Sequence, residues 1–124
     1  MIYLDTHVVV WLYAGLNGKF NETARGLLNR HEKYISPIVR LELQYLYEIQ
    51  RVTEESDIIV SDLTNRIGLY VCDKPFTSVV SQALTFSWTH DPFDRLIVAN
   101  AALNDNLLLS KDQNIFENYP HARW

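Results

Sequence analysis

Short apolar runs alternate with helical patterns along the whole chain, and this alternation restricts the fold more than any other feature. Ile2–Leu4, Tyr34–Ser36, Leu69–Cys72 and Leu107–Ser110 read as strands. Between them come helix signals. His7–Tyr13 is stopped near Gly15 and Gly18, and Asn21 opens a helix running to about Arg30. Pro37 opens one running to about Gln50, and Thr53, Ser56 and Asp57 open another that ends before Gly68. Pro75–Phe86, Asp91–Asp105 and Asn114–Asn118 follow, with an edge strand expected at Ala122–Trp124. Asparagine suits a helix cap because its side chain accepts from free amides, and proline suits the first helical position because it has no amide to lose. Strands that alternate with helices pair in parallel and are covered on both faces. The expectation is an α/β fold with a mainly parallel central sheet. At 124 residues the chain is long enough for one core and too short for two ordinary ones, so residues 1–124 are expected to form a single domain.

Composition narrows the function. Apolar residues make up 48% and charged residues 21% of the chain, as in a globular protein. The net charge of −4 argues against a general nucleic-acid coat, whose surface would be basic. It leaves room for an enzyme whose acids hold cations. The single cysteine, Cys72, allows no internal disulfide and fits a reducing cytoplasm. No basic stretch precedes the first apolar residues, so a signal peptide is not expected. The longest apolar stretch, Val8–Leu16, is too short to span a bilayer.

In open α/β sheets, sites form beyond the carboxyl ends of the strands. Asp5 follows the first strand and Asp112 lies just beyond the fourth, so both are expected on one rim; each could also be a turn or cap residue. Glu42 raises a sharper question. On a helical wheel Ile38, Leu41, Tyr45, Leu46 and Ile49 share one face, and Arg40, Gln44, Tyr47, Glu48 and Arg51 the other. Glu42 falls within the apolar face. A carboxylate there is protonated, paired with a cation or bound to a metal, because an uncompensated buried charge costs on the order of several kcal/mol. Asp91 before Pro92 reads as a helix cap. Asp94 opens a helix, Leu96–Leu103, that is apolar or small almost all round, so it is expected to face the interior rim. Acidic oxygens without a His or Cys cluster suit a hard cation such as Mg²⁺ or Mn²⁺. His7, His31, His90 and His121 have no ligand spacing and read as surface or turn residues.

Four segments, YLDTH, SPIVRLEL, HDPFDRLIVANA and LLLSKD, match in order and spacing a family of known proteins. The chain resembles the PIN domain, specifically the VapC-type toxins of bacterial toxin–antitoxin systems. The resemblance spans nearly the whole chain; DPFDRLIVANA is its most specific piece, and Arg51–Thr89 carries no motif. It implies a three-layer α/β/α fold and a Mg²⁺- or Mn²⁺-dependent ribonuclease that hydrolyses phosphodiester bonds of single-stranded or structured RNA with metal-activated water. The four family acids map to Asp5, Glu42, Asp94 and Asp112, as catalytic and metal-binding residues. Thr6 and Ser110 match the hydroxyl residues beside the first and fourth acids, and Asp91 is a cap or an outer ligand. Lys111 stands where arginine is frequent. Arg40, Arg95 and Lys111 are candidate contacts to RNA phosphates. The resemblance further implies a homodimer and a cognate antitoxin. Val8–Tyr13, with Trp11 and Tyr13, is expected in the dimer interface, because it is more apolar than one covered helix face needs.

Two other readings compete. A phospho-receiver-like signalling module is also α/β with acids at strand ends, but it wants two adjacent acids after the first strand. Here that strand is followed by Asp-Thr-His, and Asp73 is the only suggestive match. The other is a PIN domain that acts only as an interaction partner, against which the intact acidic quartet argues.

Overall fold

The computed structural model describes residues 1–124. Five strands form one sheet: β1 Ile2–Leu4, β2 Lys33–Ile35, β3 Tyr70–Val71, β4 Leu107–Leu109 and β5 Ala122–Arg123. Their order is β3-β2-β1-β4-β5, and every neighbouring pair is parallel, the edge strand β5 included. Seven helices complete a three-layer α/β/α arrangement: α1 Thr6–Ala14, α2 Glu22–Arg30, α3 Pro37–Glu48, α4 Ser56–Ile67, α5 Phe76–Ala83, α6 Pro92–Ala102 and α7 Gln113–Asn118. The strand order removes the phospho-receiver alternative, whose fold places its first strand between the second and third. No helix is long and apolar enough to cross a membrane.

Local chemistry sets most helix ends where the sequence puts them. Asn21 Oδ1 accepts from the Ala24 amide at 2.8 Å, and Ser36 Oγ from the Ile38 amide at 3.3 Å. Gly15 and Gly68 end α1 and α4 at φ 69°, a left-handed conformation that costs other residues strain. Three ends differ from expectation, two of them because distant groups intervene. The Ser56 amide donates to Gln44 Oε1 at 3.1 Å, so α4 starts at Ser56 and not at Thr53. The guanidinium of Arg95 donates to the carbonyls of Ala83 and Phe86 at 3.0 and 2.7 Å, and α5 stops at Ala83. Asp105 takes a positive φ of 53°, which closes the turn after α6 at Ala102.

The face α3 buries is not the one its apolar periodicity suggests. Val39 and Leu43 are fully buried in the core, whereas Leu41, Tyr45 and Ile49 are 58, 48 and 43% exposed. Glu42 therefore sits at the edge of the buried face, half-buried, next to Leu43. Val8–Tyr13 is also used differently. Val8 and Val9 are buried and Val10–Tyr13 pack against the same core, with Trp11 edge-on to Phe20 and Trp124 at 6.2 and 5.7 Å. Packing within the chain thus takes up part of the apolar excess of this stretch, while Val10–Tyr13 stay partly exposed.

The α3 correction has a direct test by urea unfolding. Leu43→Ala should lower stability by about 2–5 kcal/mol, as expected for a fully buried leucine. Leu41→Ala should change it by no more than about 0.5 kcal/mol. The reverse pattern would restore the periodicity-based face.

Candidate active site

The connection out of β1 leads to β2 on one side, while β4 lies on the other, so the direction of strand succession switches beside β1. A crevice opens beyond the carboxyl ends of the strands at such a point. Asp5 closes β1 and caps α1; Ser110 and Asp112 close β4. Glu42 reaches the same place from the first turns of α3, which begins directly after β2, and Asp94 from the first turn of α6. An open cavity of about 400 Å³ brings together Asp5, Glu42, Asp91, Asp94 and Asp112, with His7, Trp11 and Lys111 on its walls. A larger hollow of about 680 Å³ lies elsewhere, against α2, and holds no acid. Its Arg25 and Lys33 already donate to the backbone carbonyls of Asn17 and Leu28 at 2.8 and 3.0 Å.

The acids are individually anchored. Asp5 is buried, 8% exposed; Oδ1 accepts from the Thr6 amide at 2.8 Å and Oδ2 from Ser110 Oγ at 2.7 Å. Ser110 Oγ in turn accepts from the Asp112 amide at 3.1 Å, so one buried hydroxyl ties the first acid to the backbone of the last. Thr6 Oγ1 donates to Glu42 Oε1, which fixes that carboxyl beside α1. Asp91 Oδ1 accepts from the amides of Phe93 and Asp94 at 2.8 and 3.3 Å. Asp112 Oδ1 accepts from those of Asn114 and Ile115 at 2.8 and 3.1 Å.

Crowding and burial raise the proton affinity of three of these groups. Burial pushes the Asp94 carboxyl up to about 7, reinforced by the negative charges of Asp5, Asp91, Asp112 and Glu42. Burial also raises Asp5, against the hydrogen bonds from Ser110 and Thr6. It raises Glu42 as well, against the bond from Thr6, with Asp5 adding repulsion. The site is a concentration of negative charge that the protein's own cations do not balance. As the side chains stand, no three His, Cys, Asp or Glu groups are close enough together to hold an ion. Two features nonetheless fit a hard divalent cation: the carboxyl donors are all oxygen, and five acids share the cavity with only Lys111 and His7 to oppose their charge.

Of the three expected phosphate contacts, only Lys111 lies on the cavity wall. Arg40 pairs with Asp57 at 3.0 Å on the surface between α3 and α4. Arg95 is turned to the carbonyls of Ala83 and Phe86 at the end of α5, where its guanidinium serves the frame. Two wall residues, His7 and Trp11, were not anticipated as site residues. Their ring centroids are 6.3 Å apart, on the helix that Asp5 caps. Their i,i+4 spacing directly after a site aspartate is the signal that could have found them.

The family model described as PIN domain matches residues 2–122. No curated protein sequence matches the chain significantly. Among solved structures, the chain is similar to VapBC2 from Rickettsia felis bound to a DNA fragment from its promoter, at 19% identity, TM-score 0.68 and coverage of 100% of this chain and 99% of that one. It is also similar to a toxin–antitoxin complex from Klebsiella pneumoniae, at 14% identity, TM-score 0.68 and coverage of 100% and 97%. A FitAcB structure from Neisseria gonorrhoeae matches at 22% identity, TM-score 0.58 and coverage of 98% and 95%. At these identities the likeness is one of fold.

The crowded carboxylates predict how metal-free stability depends on pH. Asp94 titrates near 7 in the folded chain and near about 3.9 when unfolded. Between those values the folded state holds the proton more tightly. The stability this contributes is complete below about pH 4 and is lost as pH rises through 7. Asn at this position has no proton to lose. In EDTA, Asp94→Asn should therefore melt several degrees above wild type at pH 8 and nearer to it at pH 5. Water screens the partly exposed group, so the gain at pH 8 should be ~1–2 kcal/mol. A melting difference that does not change with pH would show that Asp94 is not under electrostatic strain.

Proposed function

The chain belongs to the PIN domain family, and from that premise we propose that it is a Mg²⁺- or Mn²⁺-dependent endoribonuclease and the toxin of a cytoplasmic toxin–antitoxin pair. The observation that carries this reading is the convergence of Asp5, Glu42 and Asp94 on one cavity, where burial and neighbouring carboxylates raise the proton affinity of all three. Asp5, Glu42 and Asp94 would hold the cation directly, and Asp112 a second one or the same one through water. A bound cation supplies Lewis-acid polarisation of the phosphate and a lowered pKa for bound water.

The rest falls to the chain's own residues. Thr6 holds Glu42 toward the cavity, so the carboxyl enters the site already oriented. Ser110 fixes Asp5 and the backbone ahead of Asp112, keeping the two strand ends in register. Lys111, on the wall, is placed to neutralise a phosphate of the substrate strand. Buried helix α6, with Ile97, Val98, Ala99 and Ala101 in the core, gives Asp94 a rigid base.

The likeness to toxin–antitoxin complexes supports an antitoxin partner, which we place beside the acidic rim, where it would block the cavity. A homodimer would use the apolar surface left partly exposed, Val10–Tyr13 on α1 among it. The exposed stripe Leu41, Tyr45 and Ile49 along α3 is available for it.

Wild-type protein with Mn²⁺ should cleave single-stranded RNA, and EDTA should stop it. Asp94→Asn and Glu42→Gln should each lose at least ~100-fold in rate, as removal of a group worth ~3 kcal/mol would give. Mn²⁺ at ten times its dissociation constant should stabilise wild type by about 1.4 kcal/mol and the two variants by less. Wild-type protein that binds RNA with Mn²⁺ but never cleaves it would make the chain an interaction partner only. Wild-type cleavage by purified Asp94→Asn would remove Asp94 from the site.

A further inference from the structure

A strip of aromatic rings and lysines leaves the acidic cavity along the outside of α1. His7 and Trp11 line the cavity, with ring centroids 6.3 Å apart. Trp11 continues edge-on to Trp124 at 5.7 Å, which follows β5 at the same rim. Phe20 stacks beneath Trp124 at 5.5 Å and backs the strip with the core. Two exposed lysines lie on the rings: Lys19 Nζ is 5.5 Å from the centroid of Trp11, and Lys111 Nζ is 5.7 Å from that of Trp124. Neither lysine has an acidic partner; the ion pairs of the chain are Arg40–Asp57 and Arg66–Asp62.

Half-buried rings held against the core, alternating with unpaired ammonium groups, are what a single nucleic-acid strand requires. Each base has a π-face that stacks on an aromatic ring whatever its sequence, and each phosphate needs a cation. An exposed ammonium gains little from an indole face and a base gains more, so an incoming base would displace the lysine. The freed lysine then meets the adjoining phosphate. The strip also runs into the cavity, since Trp11 and Lys111 belong to both. On a chain of net charge −4, this pair of unpaired cations is set where an anionic strand would reach the acids.

We propose that Trp11 and Trp124, flanked by Lys19 and Lys111, form a stacking platform for unpaired RNA nucleotides next to the cleaved bond. The platform positions a single strand and is not selective for base identity. The proposal rests on the ribonuclease reading, but its test separates the two.

The uncleaving Asp94→Asn protein is titrated with a short unstructured RNA oligonucleotide while tryptophan emission is followed. The oligonucleotide should quench the emission. Adding Trp11→Leu, which keeps an apolar side chain against the core, should remove most of the quench and weaken binding about tenfold, the loss of one stacked base. Adding Lys19→Glu, on the exposed surface, should leave the melting temperature unchanged and lower the slope of log affinity against log salt by about 1. If Trp11→Leu does not fold, the lysine variant carries the test. Unchanged affinity and salt slope in both variants would overturn the platform, and the ribonuclease reading would stand if wild type still cleaves. An RNA-dependent quench through Trp11 in a protein that never cleaves RNA would keep the platform and overturn the ribonuclease reading. An emission change that appears without RNA and grows with protein concentration would assign the strip to a second copy of the chain, and the proposal would fall.

Discussion

The carboxylate of Asp5, buried at the end of the central strand, is the constraint on which the rest of the site depends. Removing a charged group from water is expensive unless donors replace the lost hydration. Here the donors are the Thr6 amide and the Ser110 hydroxyl, and each belongs to a different element. Asp5 can be held this way only if β1 and β4 are neighbours in parallel register, Leu4 beside Leu109, with the chain leaving both strands at one rim. The same rim then receives Glu42, because α3 follows β2 without a loop, and Asp94, because α6 starts there.

Helix caps and site acids are the same residues. Asp5, Asp91 and Asp112 each cap a helix, and each lines the cavity. For Asp91 and Asp112 one carboxyl oxygen, Oδ1, accepts the backbone amides, and the other is left for the cavity. Cap and ligand are therefore not competing explanations of these aspartates. The helix fixes the direction of the carboxyl, and its free amides partly offset the negative charge. Asp94 and Glu42 cap no helix, and burial pushes Asp94 up to about 7. A fold that concentrates acids like this gives up stability at neutral pH.

Away from the rim, a cluster of buried polar groups pairs internally, although Asn100 Oδ1 within it accepts no hydrogen bond. Cys72 Sγ accepts from Tyr3 Oη at 3.0 Å and from Asn100 Nδ2 at 3.2 Å. Lys74 Nζ donates to the Asn100 carbonyl at 2.9 Å and to Asn106 Oδ1 at 3.0 Å, while lying 4.8 Å from the Tyr3 ring centroid. This cluster joins β1, the end of β3 and α6, and so steadies the helix that carries Asp94.

Much was legible in the sequence because its cause is local. The caps Asn21, Asp91 and Asp112, the glycines that end α1 and α4, and the apolar triplets of β1 and β4 act through neighbours a few residues away. The alternation of strand and helix then required the parallel sheet that places acids at one rim. Which face of α3 is buried was not local. The helix carries two apolar stripes, one with Val39 and Leu43 and one with Leu41, Tyr45 and Ile49, and periodicity is satisfied by either. Only packing against the neighbouring helices and sheet selected the first. The destinations of Arg40 and Arg95 were equally hidden, since a long flexible side chain binds whatever partner the fold brings within reach: Asp57 for one, two backbone carbonyls for the other. The sequence by itself determined which elements form and which acids end them. The tertiary structure alone decided which side chains face the same space, because that depends on contacts between residues far apart in the chain.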